Sequence, residues 1–146
     1  MKNKDANLVI VGCGRLGSYL ANRLSREGYS VVVIDRSSQT FDNLTPAFSG
    51  FKVEGDATQI SVLNAAKLKA AEVLIATTHD DNVNLWVAQV ARTIFGVARV
   101  LARVFDPRRE QIYAELGIQT ICPTSVAAEL FIQAVLGDGN AKGPVI

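Results

Sequence analysis

One histidine, two cysteines, one tryptophan and four prolines are all that 146 residues hold of these types. Each scarcity removes something. Cys13 and Cys122 show neither a CxxC pair nor a metal-ligand spacing, so they read as reduced structural thiols, and no metal site is expected. The single histidine, His79, is expected to be a loop residue rather than a catalyst. No apolar run approaches the roughly 18 residues of a membrane-spanning helix, so no direct membrane insertion is expected. The first residues, Met1 to Asn7, are polar and lack the apolar core of a signal peptide. Nor is there an excess of charge: 15 basic against 14 acidic residues leave +1, which gives no electrostatic reason to expect nucleic acid or a lipid surface as partner.

What is present is an alternation. With 49% apolar and 20% charged residues the composition is that of one globular domain. Short apolar runs fall at Leu8–Val11, Val31–Ile34, Phe51–Val53, Val73–Ala76, Val97–Val104 and Ile118–Ile121. Continuous runs of this kind suit strands buried on both faces. Between them lie segments of helical period: Leu16, Leu20 and Leu24; then Val83, Val87, Val90, Ala91 and Ile94; then Val126, Leu130 and Ala134. Strand alternating with helix predicts an α/β, Rossmann-type doubly wound, mainly parallel six-stranded sheet of order 3-2-1-4-5-6, with helices on both faces. Gly28 is placed to end the first helix, Asp106 and Pro107 to open another, and Pro123 with Thr124 to open the last. The organisation expected is a polar arm at 1–7, one nucleotide-binding domain at 8–136, and a Gly-rich tail or linker start at 137–146.

Gly12, Gly14 and Gly17 form GxGxxG between the first predicted strand and the first predicted helix, which is the context the pattern requires. The first glycine permits the turn, the second admits a phosphate to the backbone, and the third lets helix and strand pack closely. N–H groups at the helix start then face an anion. The whole segment Gly12-Cys13-Gly14-Arg15-Leu16-Gly17 is therefore a candidate phosphate cradle. Arg15 inside it is expected to clamp phosphate oxygens, the alternative being a solvated arginine. Asp35 ends the second run, where a carboxylate accepts from ribose hydroxyls and repels a 2′-phosphate. The alternative is a surface carboxylate capping a helix start at Ser37-Ser38. Arg36 beside it tempers the preference for NAD over NADP, because arginine accommodates a 2′-phosphate.

These residues, with three further segments, resemble the N-terminal RCK (TrkA-N) domain, the nucleotide-binding regulatory domain of Trk- and Ktr-type potassium transport systems and related channels. Gly55-Asp56-Ala57-Thr58 resembles its GDAT signature, the stretch from Ala76 to Asn84 its segment after strand four, and Ala102-Arg103-Val104 its strand-five end. The likeness runs from about Leu8 to Leu136. It implies that Asp56 and Ala57 lie against adenine, and that Thr58 caps the next helix. Ala76 and Thr77 would floor the pocket, Asn82 and Asn84 would bond near the phosphates or nicotinamide, and Arg103 would reach a phosphate. Simpler readings stand beside these: Asp80 and Asn82 as caps of the long helix, and Arg103 paired with a surface carboxylate. Ktr-type members carry a glutamate after the proline of the last helix, tied to a cation at the phosphates. Here Pro123-Thr124-Ser125 lacks it, which points away from ATP and toward NAD or NADH, with ATP, ADP or AMP as alternatives. The full-length family continues into a second, ligand-sensing domain.

Two functional classes remain in view. A small NAD-dependent oxidoreductase needs an acid/base group and a substrate domain, for which there is little chain, and none of Tyr19, Tyr29 and Tyr113 is followed by a lysine three or four residues on. A regulatory binding module needs no catalytic residue. The resemblance implies the latter: a cytoplasmic subunit or domain that binds nucleotide and controls potassium transport through a transporter or channel in the membrane, as a homodimer and possibly a higher ring. Trp86, Phe95 and Phe131 are candidates for such an interface, or for the core.

Overall fold

A computed structural model describes residues 7–137; all but the last residue of the expected arm at 1–7, and all but the first of the expected tail at 137–146, lie outside the described residues. Six strands, β1 (Asn7–Val11), β2 (Ser30–Asp35), β3 (Phe51–Glu54), β4 (Val73–Ala76), β5 (Arg99–Arg103) and β6 (Gln119–Ile121), form one sheet. Their order is β3-β2-β1-β4-β5-β6 and every neighbouring pair is parallel. Asn7, assigned above to the arm, is the first residue of β1, paired with Ser30.

Five α-helices connect or follow the strands: α1 (Arg15–Arg26), α2 (Ile60–Ala65), α3 (Asp81–Thr93), α4 (Glu110–Glu115) and α5 (Pro123–Leu136). The turn signals work as their chemistry requires. Gly28 follows α1 at φ 98°, a left-handed position that a Cβ would strain. Asp106 caps a short 3₁₀ segment, Pro107–Arg109, by accepting from the Arg108 N–H. The link from β2 to β3 makes only a 3₁₀ turn, Ser38–Asn43.

Alternation along the central strand divides the core. Val9 and Val11 face a large cluster with Leu63, Leu74, Val87, Val100 and Tyr113. Leu8 and Ile10 face a smaller one with Ala21, Val31, Val33 and Leu44, backed by Leu20 and Leu24 of α1. On α3 the periodic residues Val87, Val90 and Ala91 are buried as expected, while Ile94 lies at the C-cap and is exposed. Phe95 packs against the larger cluster and Trp86 is partly exposed.

The last helix departs from the expectation. No residue of α5 is buried: Val126 is exposed, Phe131 is 74% exposed and Val135 is 79% exposed. Its period-four stripe therefore belongs to no core within these residues, and Phe131 is not a core residue. Among the described residues no helix is long and apolar enough to cross a membrane.

Both cysteines are free and buried. Burial, reinforced by the charge of Asp35, pushes the Cys13 thiol up to about 11. Because both are buried, and because the thiolate is the reactive form and that of Cys13 is disfavoured, neither thiol of the folded protein should be alkylated by iodoacetamide at pH 8, and both should react in denaturant. Mass spectrometry before and after adding urea reads this directly, and rapid modification of Cys13 in the native protein would contradict its burial.

Candidate functional site

The carboxyl ends of β1, β2, β3 and β4 surround a cleft of about 510 Å³. This is where open α/β sheets bind ligands, because the strand order reverses between β1 and β4. Its first wall is the glycine loop. Gly12 turns the chain at φ 102° and donates to the Ile34 carbonyl at 2.8 Å. α1 then begins with Gly14 as its N-cap, without a side-chain cap and with no acidic residue in its first turn. Helix geometry leaves the N–H groups of Arg15, Leu16 and Gly17 without an intrahelical acceptor. An uncapped start with a positive dipole end suits an anion. Gly17 faces the backbone of Gly12, where a Cβ would stand 1.8 Å from the Gly12 oxygen. Of this segment only Gly12 and Gly14 line the cleft; Cys13 and Gly17 are buried, Leu16 is half-buried and Arg15 is exposed.

The second wall comes from β2. Asp35 accepts through Oδ2 from the Cys13 N–H at 2.8 Å and through Oδ1 from the Ser37 N–H at 2.9 Å. It lines the cleft and also caps the turn after β2 at the Ser37 N–H, the role its alternative reading gave it. Arg36 and Thr40 stand beside it.

β3 supplies Gly55, Asp56, Ala57 and Thr58, all on the cleft. Asp56 Oδ1 accepts from the Thr58 N–H at 2.9 Å and from its hydroxyl at 2.7 Å. These two bonds hold the Asp56 carboxyl below the usual carboxylate range, with a smaller contribution from the Arg36 charge. Thr58 does not cap the next helix. Its hydroxyl is spent on Asp56, and the N-cap of α2 is Gln59, which makes no side-chain bond.

The fourth wall is the loop from β4 to α3. The Thr77 hydroxyl donates between the carbonyls of Val11 at 3.0 Å and Gly12 at 3.2 Å, tying this loop to the glycine loop. Thr77, Thr78, His79 and Asp80 all line the cleft. Asp80 caps α3, accepting from the N–H groups of Asn82 and Val83. Ala76 is not on the floor: it is fully buried in register between Val11 and Ala102. Asn82 faces a neighbouring open cleft of about 380 Å³, where its amide oxygen accepts from Arg109 at 2.9 Å.

Two expected ligand contacts point inward instead. Asn84 is 0% exposed, and its amide is divided among the N–H, hydroxyl and carbonyl of Thr78 and the carbonyl of Arg103. It cannot also touch a ligand, since an amide has only two donor hydrogens and two acceptor lone pairs. Arg103 directs Nη2 at the carbonyls of Thr77 and Thr78, the latter at 3.0 Å, and lies with its guanidinium carbon 4.6 Å from the centre of the Phe105 ring. It lines neither cleft and, among the described residues, pairs with no surface carboxylate. Burial lowers its pKa, opposed by the charge of Asp81.

Thr40, Thr78 and the side chain of Val83 also line the cleft and were not singled out by the sequence. Thr78 stands inside the segment quoted for its likeness, whereas Thr40 carries no motif. Among the described residues no group of three or more His, Cys, Asp or Glu side chains is placed to hold a metal ion.

The arrangement can therefore seat a ligand with an anionic centre at the α1 terminus and hydrogen-bonding groups toward Asp35 and Asp56. The Trk system potassium uptake protein TrkA of Streptomyces coelicolor is 39% identical over 133 residues, covering 91% of this chain and 60% of that protein. The chain thus spans about 60% of the length of this relative. The RCK domain of GsuK superposes with a TM-score of 0.80 at 25% identity, over 96% of this chain and 30% of that one. The GsuK channel bound to NAD gives 0.78 at 26% identity, over 92% of this chain and 24% of its own. The TrkA-N domain model matches residues 8–124, which takes in all six strands and the four walls of the cleft, and the chain accordingly belongs to the TrkA-N domain family.

Proposed function

We propose that this chain is the nucleotide-binding part of a regulatory protein that takes up NAD or NADH and controls potassium transport through a membrane partner. The observation that carries the reading is the convergence of three features on one cleft: the uncapped N-terminus of α1, the Asp35 carboxylate and the Asp56 carboxylate. The pyrophosphate meets the α1 terminus, with exposed Arg15 reaching over it. Asp35 still has acceptor capacity for ribose hydroxyls, because two backbone donors leave about half of its four lone-pair positions open. Asp56, whose Oδ1 faces Thr58, offers Oδ2 to the amino edge of adenine. Arg36 lies at the ribose end.

Coupling to transport requires that ligand favour one arrangement of the protein, and it moves that equilibrium only by its differential affinity for the two. We place the protein at the cytoplasmic face of the membrane as a homodimer. The GsuK channel bound to NAD supports the choice of ligand, and the potassium uptake relatives support the choice of process. A small oxidoreductase is the weaker reading: His79 is the titratable ring on the cleft, and it is stacked on Phe105 at a centroid distance of 6.3 Å.

Calorimetric titration with NADH, NADPH, ATP, ADP and AMP tests the proposal. NADH is expected to bind, and NADPH more weakly because its 2′-phosphate meets Asp35. Binding by none of the five would overturn it, and steady oxidation of NADH by simple carbonyl compounds would favour the oxidoreductase. Asp35→Ala is expected to weaken NADH by about 1.5–3 kcal/mol, the scale of hydrogen bonds to a charged group, and to narrow the gap between NADH and NADPH. An unchanged ratio of the two would remove Asp35 from the ribose.

A further inference from the structure

Among the described residues, Arg103 is a half-buried cation with no carboxylate on it, and its Nε is a buried donor without a partner. Leaving such a donor unmet is costly, so the rest of the side chain must be held for a reason. Three contacts define its place. Nη2 binds the carbonyls of Thr77 and Thr78. The guanidinium lies over the Phe105 ring, and the other neighbour of that ring is His79, stacked at an interplanar angle of 19°. The Arg103 carbonyl is in turn bonded by Asn84, which also holds Thr78. Apart from Phe105 itself, the groups that the guanidinium bonds or reaches through that ring, Thr77, Thr78 and His79, belong to the β4–α3 loop.

That loop is the wall opposite the glycine loop. His79 Nε2 comes within 3.6 Å of the position a Cβ on Gly14 would take, and Thr77 is bonded to Gly12. The distance between the two loops sets the width of the cleft over the α1 N-terminus, where the phosphates are placed. Asp35 and Asp56, at the other end of the cleft, have no contact with Arg103.

We propose that Arg103 is a positioning residue: without touching the nucleotide, it fixes the β4–α3 loop from behind and so sets the phosphate end of the cleft while leaving the adenosine end alone. This rests on the nucleotide reading above. It makes Arg103 selective among ligands, since only those extending past the adenosine depend on the wall it holds.

The test uses Arg103→Met, which keeps the stem and removes the donors, and Arg103→Lys, which keeps the charge but not the planar fork. Affinities for NADH, ADP and adenosine are measured by calorimetry, and amide hydrogen exchange at residues 77–80 is followed in the ligand-free proteins. Arg103→Met is expected to weaken NADH and ADP by about tenfold, the scale of one charge-assisted hydrogen bond, and adenosine by less than about twofold. Exchange at residues 77–80 is expected to speed up before any ligand is added, and Arg103→Lys is expected to restore neither property fully. Equal losses for all three ligands would overturn the proposal in favour of general damage. A loss for NADH and ADP with unchanged exchange in the free protein, or full rescue by lysine, would overturn it in favour of direct phosphate contact. Unaltered affinities would also overturn it. If the parent protein bound none of the three, the nucleotide reading would fall, whereas unchanged exchange in Arg103→Met would by itself defeat the positioning role.

Discussion

Gly17→Ala is expected to destabilise the domain by about 3 kcal/mol or more, above the usual range for an overpacked core. The added Cβ would lie 1.8 Å from the Gly12 oxygen, 2.8 Å from its carbonyl carbon and 2.9 Å from the Thr77 hydroxyl. The first two are backbone atoms in a turn already fixed at φ 102° and tied to β2 through Ile34. Nothing there can rotate away, so α1 must lift off β1 by more than an ångström. That movement opens the α1-side core between Ala21, Ile10 and Val33. Urea denaturation followed by circular dichroism checks the expectation, and a shift under about 1 kcal/mol would contradict the contact geometry.

Two other glycines give smaller effects on the fold. Gly14→Ala meets only the His79 ring, at 3.6 Å, which is ordinary contact, and the Gly14 backbone is extended. It should leave stability almost unchanged and weaken nucleotide binding, because the second glycine of the loop is needed for close approach of a phosphate. Gly96→Ala meets nothing within 4 Å, so its cost is that of a left-handed φ alone, about 1 kcal/mol. The three glycines thus differ by what faces them, although the sequence writes them alike.

This contrast marks how far the sequence could be read. The order of the six strands follows from buried apolar runs alternating with amphipathic segments, because parallel crossovers have essentially one hand. The glycine loop and Asp35 were legible for a local reason: each answers a requirement of the backbone within one strand–turn–helix unit. Asn84 and Arg103 were not, because their partners are mostly backbone groups in other elements. A side-chain letter does not say which carbonyls a distant loop will leave unpaired, and a motif likeness naturally sends polar residues toward the ligand. Thr58 was misassigned for the related reason that its hydroxyl had two suitors, the α2 N-terminus and Asp56. The α5 stripe failed differently. A period of four establishes an apolar face and says nothing of what covers it.

Asn84→Ala is expected to cost roughly 2–4 kcal/mol, from the loss of a fully used buried amide. For a chain of this length that corresponds to a fall in Tm of roughly 5–12 °C. Asn84 Oδ1 receives the Thr78 N–H at 2.9 Å and the Thr78 hydroxyl at 2.6 Å, and Nδ2 donates to the carbonyls of Thr78 and Arg103, each at 3.0 Å. Alanine removes all four bonds and leaves the stranded backbone groups without water, since the position is fully buried. Leucine, of similar volume, should do no better, because the loss is of partners rather than of packing. Asn84→Asp is the sharper variant. An aspartate keeps the two acceptor bonds but faces two carbonyl oxygens, of which it can satisfy one, and that only when protonated. Its folded pKa would be raised above the unfolded value of about 3.9. The unfolded state then binds fewer protons than the native one over that window, so stability falls as the pH rises through it. Asn84→Asp should lie closer to the parent protein at pH 4 than at pH 8, whereas the deficit of Asn84→Ala should not change with pH. A deficit near zero for Asn84→Asp at both pH values, beside a large one for Asn84→Ala, would mean that the donors of Asn84 contribute nothing and that its place in the core is a matter of shape.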